Sequence, residues 1–167
     1  MSKADLPNSI NGIMGSSVTL GLNCDAASNV ALQVTDNRAS SAITNADFPA
    51  NSPSNMADSE LFGLGKDSAS NNIGALGFML TDVKLDSASA YIMQSTDKST
   101  WTTLESGILQ NNGYISVAAT SSATSPSSFT TASVTLTPGI TLFEASRYPS
   151  GEETTLDGSV TFTVNYL

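Results

Sequence analysis

No histidine occurs in this chain, which excludes every catalytic triad with an imidazole base and every zinc site with an imidazole ligand. Cysteine occurs once, as Cys24, so no disulfide can close within the 167 residues. No apolar run approaches the ~20 residues that a membrane helix needs, and the segment from Met1 to Asp5 opens no signal-peptide hydrophobic stretch. Charge is scarce too: 13% of residues are charged, with 6 Lys and Arg against 15 acids and a net charge of -9. Such a chain is expected to be soluble, kept so by Ser, Thr and Asn, and to repel nucleic acid and anionic membranes.

The residues that could carry chemistry stand in no catalytic pattern. Arg38, Lys66, Lys84, Lys98 and Arg147 are scattered, and Gly63-Leu64-Gly65-Lys66 lacks both the spacing and the following helix of a phosphate loop. The loop acids Asp36, Asp58, Glu60 and Asp67 are of the kind that binds calcium, but without an ordered Asp-x-Asp spacing they read as solvated carboxylates. Neither an enzymatic activity nor a cofactor or metal is expected. Cys24 sits at an apolar position of an alternating run, which suits a small buried side chain; in an exported protein an odd cysteine points to a partner elsewhere.

What the sequence has in abundance is alternation. Val18 to Cys24 and Val30 to Asp36 each alternate apolar with polar residues, and the turn between them suggests an antiparallel pair. Asn37 to Ser59, with Pro49 and Pro53, reads as a long mobile or binding loop. Ile73 to Leu85 is apolar enough for the middle of a sheet, and its glycines suggest close backbone approach. Ala90 to Ser95 and Trp101 to Leu104 form a hairpin, and Asn112-Gly113 turns the chain into a strand from Tyr114 to Ala118. Phe129 to Phe143 is expected as two strand halves bent at Pro138-Gly139. No helical period and no internal repeat appears. Short strands between turn signals predict an all-β sandwich with immunoglobulin-like, Greek-key connections, in one domain burying roughly 70% of its unfolded surface.

The final eleven residues alternate without fault. With Val160, Phe162, Val164 and Tyr166 facing one way and Ser, Thr and Asn the other, a half-buried terminal strand with an edge to fill is expected. Unpaired edges recruit strands, and donor-strand complementation is one use of that property.

Four blocks carry a family resemblance: Val18 to Ala27 with its Cys-Asp-Ala-Ala, Val30 to Ala39 with its Thr-Asp-Asn-Arg, Phe62 to Gly65, and Leu156 to Phe162. In these the chain resembles the bacterial pilin-like family of uncharacterised secreted proteins found beside chaperone–usher gene clusters. Tyr166, next to last, matches the end strand of chaperone–usher pilins. The resemblance implies export through the periplasm to the cell surface and an incomplete immunoglobulin-like sandwich over residues 1–167. It further implies a structural role in a fimbria, with a periplasmic chaperone, an outer-membrane usher and other pilin-like subunits as partners. Val160, Phe162, Val164 and Tyr166 would line the assembly groove. Family members carry an N-terminal strand whose cysteine pairs with the position of Cys24; here that strand is expected to be missing, through a different start or because another polypeptide supplies it. The alternative function is a surface carbohydrate-binding adhesin that meets a host glycan with Trp101, Tyr91, Tyr114 or Tyr148, although in a sandwich Trp101 fits a core position better.

Overall fold

The structure is a computed structural model, and it describes residues 11–48 and 56–167. Two antiparallel sheets face each other as the immunoglobulin-like sandwich that the strand pattern predicts. The first holds β1 (Asn11–Met14), β2 (Val18–Ser28), β4 (Phe62–Gly63), β5 (Gly74–Leu85), β6 (Ala88–Ser89) and β10 (Phe129–Leu142). The second has the order β11 (Val160–Tyr166), β3 (Val30–Asp36), β9 (Asn112–Ala118), β7 (Tyr91–Ser95) and β8 (Thr102–Thr103). Among the described residues helix is limited to short 3₁₀ turns such as Ala39–Ser41 and Ala145–Arg147. None is long and apolar enough to cross a membrane.

Strand β10 is the spine of the first sheet. It pairs with β5 on one side, while on the other β1 and β2 follow one another along its length, from Asn11 opposite Leu142 to Ser28 opposite Phe129. Its residues Ala132, Val134, Leu136 and Leu142 point inward against Val30, Leu32, Val34, Ile92, Ile115 and Val117 of the second sheet, and together these form the core. The hairpin from β7 to β8 forms as expected.

Three local expectations are corrected. Strands β2 and β3 do not pair with each other: Asn29 alone separates them, and there the chain crosses from one sheet to the other, so β2 pairs with β10 and β3 with β11 and β9. Asn112-Gly113 is no turn but the first two residues of β9, with Gly113 at φ 138° where an added Cβ would lie 2.9 Å from the Ser95 carbonyl oxygen. Pro138 does not split β10, which runs unbroken for 14 residues. The neighbouring edge is itself interrupted there, between Met14 and Val18, and Gly15 N–H donates to the Pro138 oxygen (2.8 Å), so the missing proline donor falls where the ladder already has a gap. The register shifts of β10 lie elsewhere, near Phe129 to Thr131 and Ser133 to Thr135.

The connection from Asn37 to Ser59 is mostly exposed where it is described, but it is anchored at two apolar points. Ile43 and Phe48 are buried in it, and Phe48 meets Phe143 with ring centroids 5.5 Å apart. Residues 49–55, which include Pro49 and Pro53, lie outside the described residues.

Candidate functional site

The terminal strand β11 lies at the edge of the second sheet. Its register against β3 sets Phe162 opposite Val34, Val164 opposite Leu32 and Tyr166 opposite Val30. Directly paired residues share a face of a sheet, and Val30, Leu32 and Val34 belong to the core. The apolar row of β11 therefore faces inward, yet only Val160 and Phe162 are packed against the core, while Val164 is 49% and Tyr166 74% exposed.

The same disparity occurs across the seam. Strand β2 borders the first sheet, and its register puts Val18 opposite Leu136, Leu20 opposite Val134 and Leu22 opposite Ala132, again on the core face. Val18 is 62% exposed, and Leu20, Leu22 and Cys24 are half-buried. Among the described residues the outer edges of both β2 and β11 are unpaired. The two lips meet where Leu167 N–H donates to the Asn29 oxygen (3.0 Å). Beneath β2 an apolar crevice runs from Leu20 and Leu22 past Leu32 and Ile115 to Ile92. Among the described residues, apolar side chains of both edge strands thus turn toward the core face and stay exposed along this side.

Three of the sequence blocks singled out above meet at the root of β11. Arg38 grips Asp157 with both ends of its fork, Nε to Oδ2 at 2.7 Å and Nη2 to Oδ1 at 3.0 Å. Asn37 Nδ2 donates to the hydroxyls of Ser159 (3.1 Å) and Thr161 (2.9 Å). Asp36 Oδ2 accepts from Gly63 N–H at 2.8 Å, and Asp157 N–H donates to the Leu64 oxygen at 2.8 Å. Thr-Asp-Asn-Arg, Phe-Gly-Leu-Gly and Leu-Asp-Gly-Ser thus form one clamp that fixes where β11 begins. Sequence spacing could not show this, because the partners lie from 27 to 124 residues apart.

The Arg38 guanidinium, by its hydrogen bond first and its charge second, holds the Asp157 carboxyl below its ordinary range. A carboxylate whose pKa is lowered on folding adds stability above its unfolded value of about 4, and that stability is lost as pH falls through the lower folded value. The acid-induced loss of stability, read by urea unfolding from neutral pH downward, is therefore expected to be shallower in Asp157→Asn than in the parent. Both partners are partly exposed, so the difference is small and shrinks with salt.

The remaining candidates are dispersed. Cys24 is a free thiol on the inner face of β2. Trp101 is buried in a small outer cluster and donates from Nε1 to the Lys98 oxygen, in keeping with a packing role. Tyr114 packs against that cluster beneath the Lys98 ammonium, 5.3 Å from its ring. Tyr148 is buried within the molecule, its hydroxyl donating to the Ile73 oxygen (2.6 Å) and accepting from Phe143 N–H (3.0 Å). The four aromatic residues do not form one platform. The acids Asp36, Asp58, Glu60 and Asp67 each accept backbone N–H groups in their own loops.

Residues 2–77 match a family described as protein of unknown function (DUF1120). The matched span contains β1 to β4 and the start of β5, and with them the β2 lip and the Thr-Asp-Asn-Arg half of the clamp. No curated protein and no solved structure matches the chain.

Proposed function

We propose that this chain is a pilin-like structural subunit of a surface fimbria, whose sandwich is completed by a strand from a neighbouring chain after delivery by a periplasmic chaperone and an outer-membrane usher. The observation that carries this reading is the exposure of inner-face side chains, Val18, Val164 and Tyr166, between two unpaired strand edges. The resemblance to the pilin-like family supports it, and Val160, Phe162, Val164 and Tyr166 are the groove residues it implies. A strand laid between β2 and β11 gains roughly 1.5 to 3 kcal/mol for each large apolar side chain it buries, and about 1 kcal/mol for each ladder hydrogen bond. Three or four such side chains offset an association cost of about 4 to 15 kcal/mol.

The test uses a synthetic peptide of about nine residues that alternates Val or Phe with Thr, and a scrambled peptide of equal composition. The alternating peptide is expected to bind, raise the melting temperature and shift the amide resonances of β2 and β11; the scrambled one is not. An unchanged melting temperature with both peptides overturns the reading. Electron microscopy of exported material addresses polymerisation separately, with regular filaments as the expected result.

A further inference from the structure

The chain has two arginines, and they are used differently. Arg38 closes its fork on Asp157. Arg147, at the end of the 3₁₀ turn Ala145–Arg147, holds its guanidinium carbon over the ring of Phe143, 4.5 Å from the centroid, and no acid among the described residues is paired with it. Stacking on a ring leaves the in-plane N–H donors of a guanidinium free, the geometry suited to bidentate capture of a carboxylate.

That fork borders a cavity of about 320 Å³ lined by Asp67, Asn71, Asn72, Phe143, Arg147 and Tyr148. The volume is at the small end of ligand sites, enough for one sugar ring. Its far wall is built by a closed loop. Asp67 is buried and accepts from the backbone N–H groups of Ala69 and Asn71 and from the Asn71 amide, while Asp67 N–H returns to the Asn71 oxygen. Ser70 is held in this loop at φ 69°, a left-handed conformation that a non-glycine residue adopts at a cost of about 1 kcal/mol or more. With the Asn71 amide nitrogen turned to Asp67 and that of Asn72 to the Ala42 oxygen (3.3 Å), each amide oxygen remains an uncommitted acceptor. The Asp67 carboxylate accepts from its own loop and forms no ion pair with Arg147, while its charge stays in the cavity wall.

We infer that this cavity is a binding site for a sugar acid of one pyranose ring, a hexuronate, whose carboxylate sits on the Arg147 fork and whose hydroxyls donate to the amide oxygens of Asn71 and Asn72. A free guanidinium selects the carboxylate and a pair of acceptors selects hydroxyl donors; a simple carboxylic acid satisfies only the first, a neutral sugar only the second. The site is lined from the loops beside β5 and β10, not from β2 or β11, and does not depend on strand completion.

The test is titration of the full chain with D-glucuronate, D-glucose and acetate, followed by amide and arginine Nε–H resonances. Glucuronate is expected to shift Asn71, Asn72 and Arg147, with glucose and acetate each weaker by about tenfold or more. Arg147→Met keeps an apolar stem over Phe143 but removes the fork, and is expected to weaken glucuronate by at least about tenfold; Arg147→Lys, which keeps the charge without the fork, falls between. Either variant binding glucuronate as the parent does, or acetate or glucose matching glucuronate in the parent, overturns the assignment. Shifts confined to residues outside the cavity overturn it equally.

Discussion

Gly63→Ala is expected to lower stability by about 4 kcal/mol, visible as a fall of about 10 °C in melting temperature. A Cβ at this position would lie 1.9 Å from the Arg38 carbonyl oxygen, 2.6 Å from the Arg38 carbonyl carbon and 2.6 Å from Ser41 Oγ. The first two obstacles are backbone, so no rotamer change relieves them. Strand β4 or the turn carrying Arg38 has to move by an ångström or more, and either displacement damages the clamp. Gly63 N–H draws away from Asp36, Gly65 N–H from Ser41 Oγ (2.9 Å), and the buried pair Phe62 and Leu64 leaves its packing. Gly21→Ala is the control: a Cβ there meets nothing within 4 Å, and the change is expected to be within about 0.5 kcal/mol of neutral. Equal melting temperatures for the two variants would show that the clamp is not rigid.

The second large effect concerns assembly. Phe162→Asp is expected to abolish binding of an alternating donor peptide, because an inserted strand would enclose an unpaired carboxylate at a cost of several kcal/mol. Since Phe162 also packs on the core, part of that effect is lost stability of the subunit itself. Tyr166→Ser separates the two contributions. Tyr166 makes little of its contact within the monomer, being 74% exposed, so its loss is expected to leave unfolding within about 0.5 kcal/mol of the parent. Peptide binding is nevertheless expected to weaken about 30-fold, the equivalent of about 2 kcal/mol of uncovered aromatic surface. Thr161→Ser retains the hydroxyl that accepts from Asn37 and is expected to change neither property. Calorimetric titration of the three variants checks the order, and equal affinities would remove β11 from the groove.

Alternation in the sequence made most strands legible, since a period of two fixes both the presence of a strand and the face it buries. Val30 to Asp36, Tyr91 to Ser95 and Val160 to Tyr166 are strands at or close to the limits the pattern sets. Pairing was not legible in the same way. Asp25 to Asn29 reads as a polar hairpin turn, yet Asp25 to Ser28 continue β2, and only the long-range choice of β10 by β2 and of β11 by β3 makes Asn29 a crossing between sheets. Asn112-Gly113 carries strong turn chemistry, but Gly113 serves close approach to Ser95 instead. On β11, the sequence shows that Val164 and Tyr166 belong to an inward row; only the packing shows that, among the described residues, they stay largely exposed. The Arg147 cavity escaped the sequence because its walls come from two loops some seventy residues apart, each of which reads alone as polar connection. The one signal available was a rare arginine in a strongly acidic chain.

The pairing of β1 and β2 with β10 also orders events in time. Asn11 waits for Leu142 and Val18 for Leu136, so in a polypeptide emerging from its amino end β1 and β2 stay idle until β10, more than a hundred residues later, has appeared. Closure of such distant contacts is slow, and idle strands with apolar faces aggregate. The interval before β10 arrives is therefore when this protein is most vulnerable, and a factor that shields β2 during it would raise yield without altering the finished molecule.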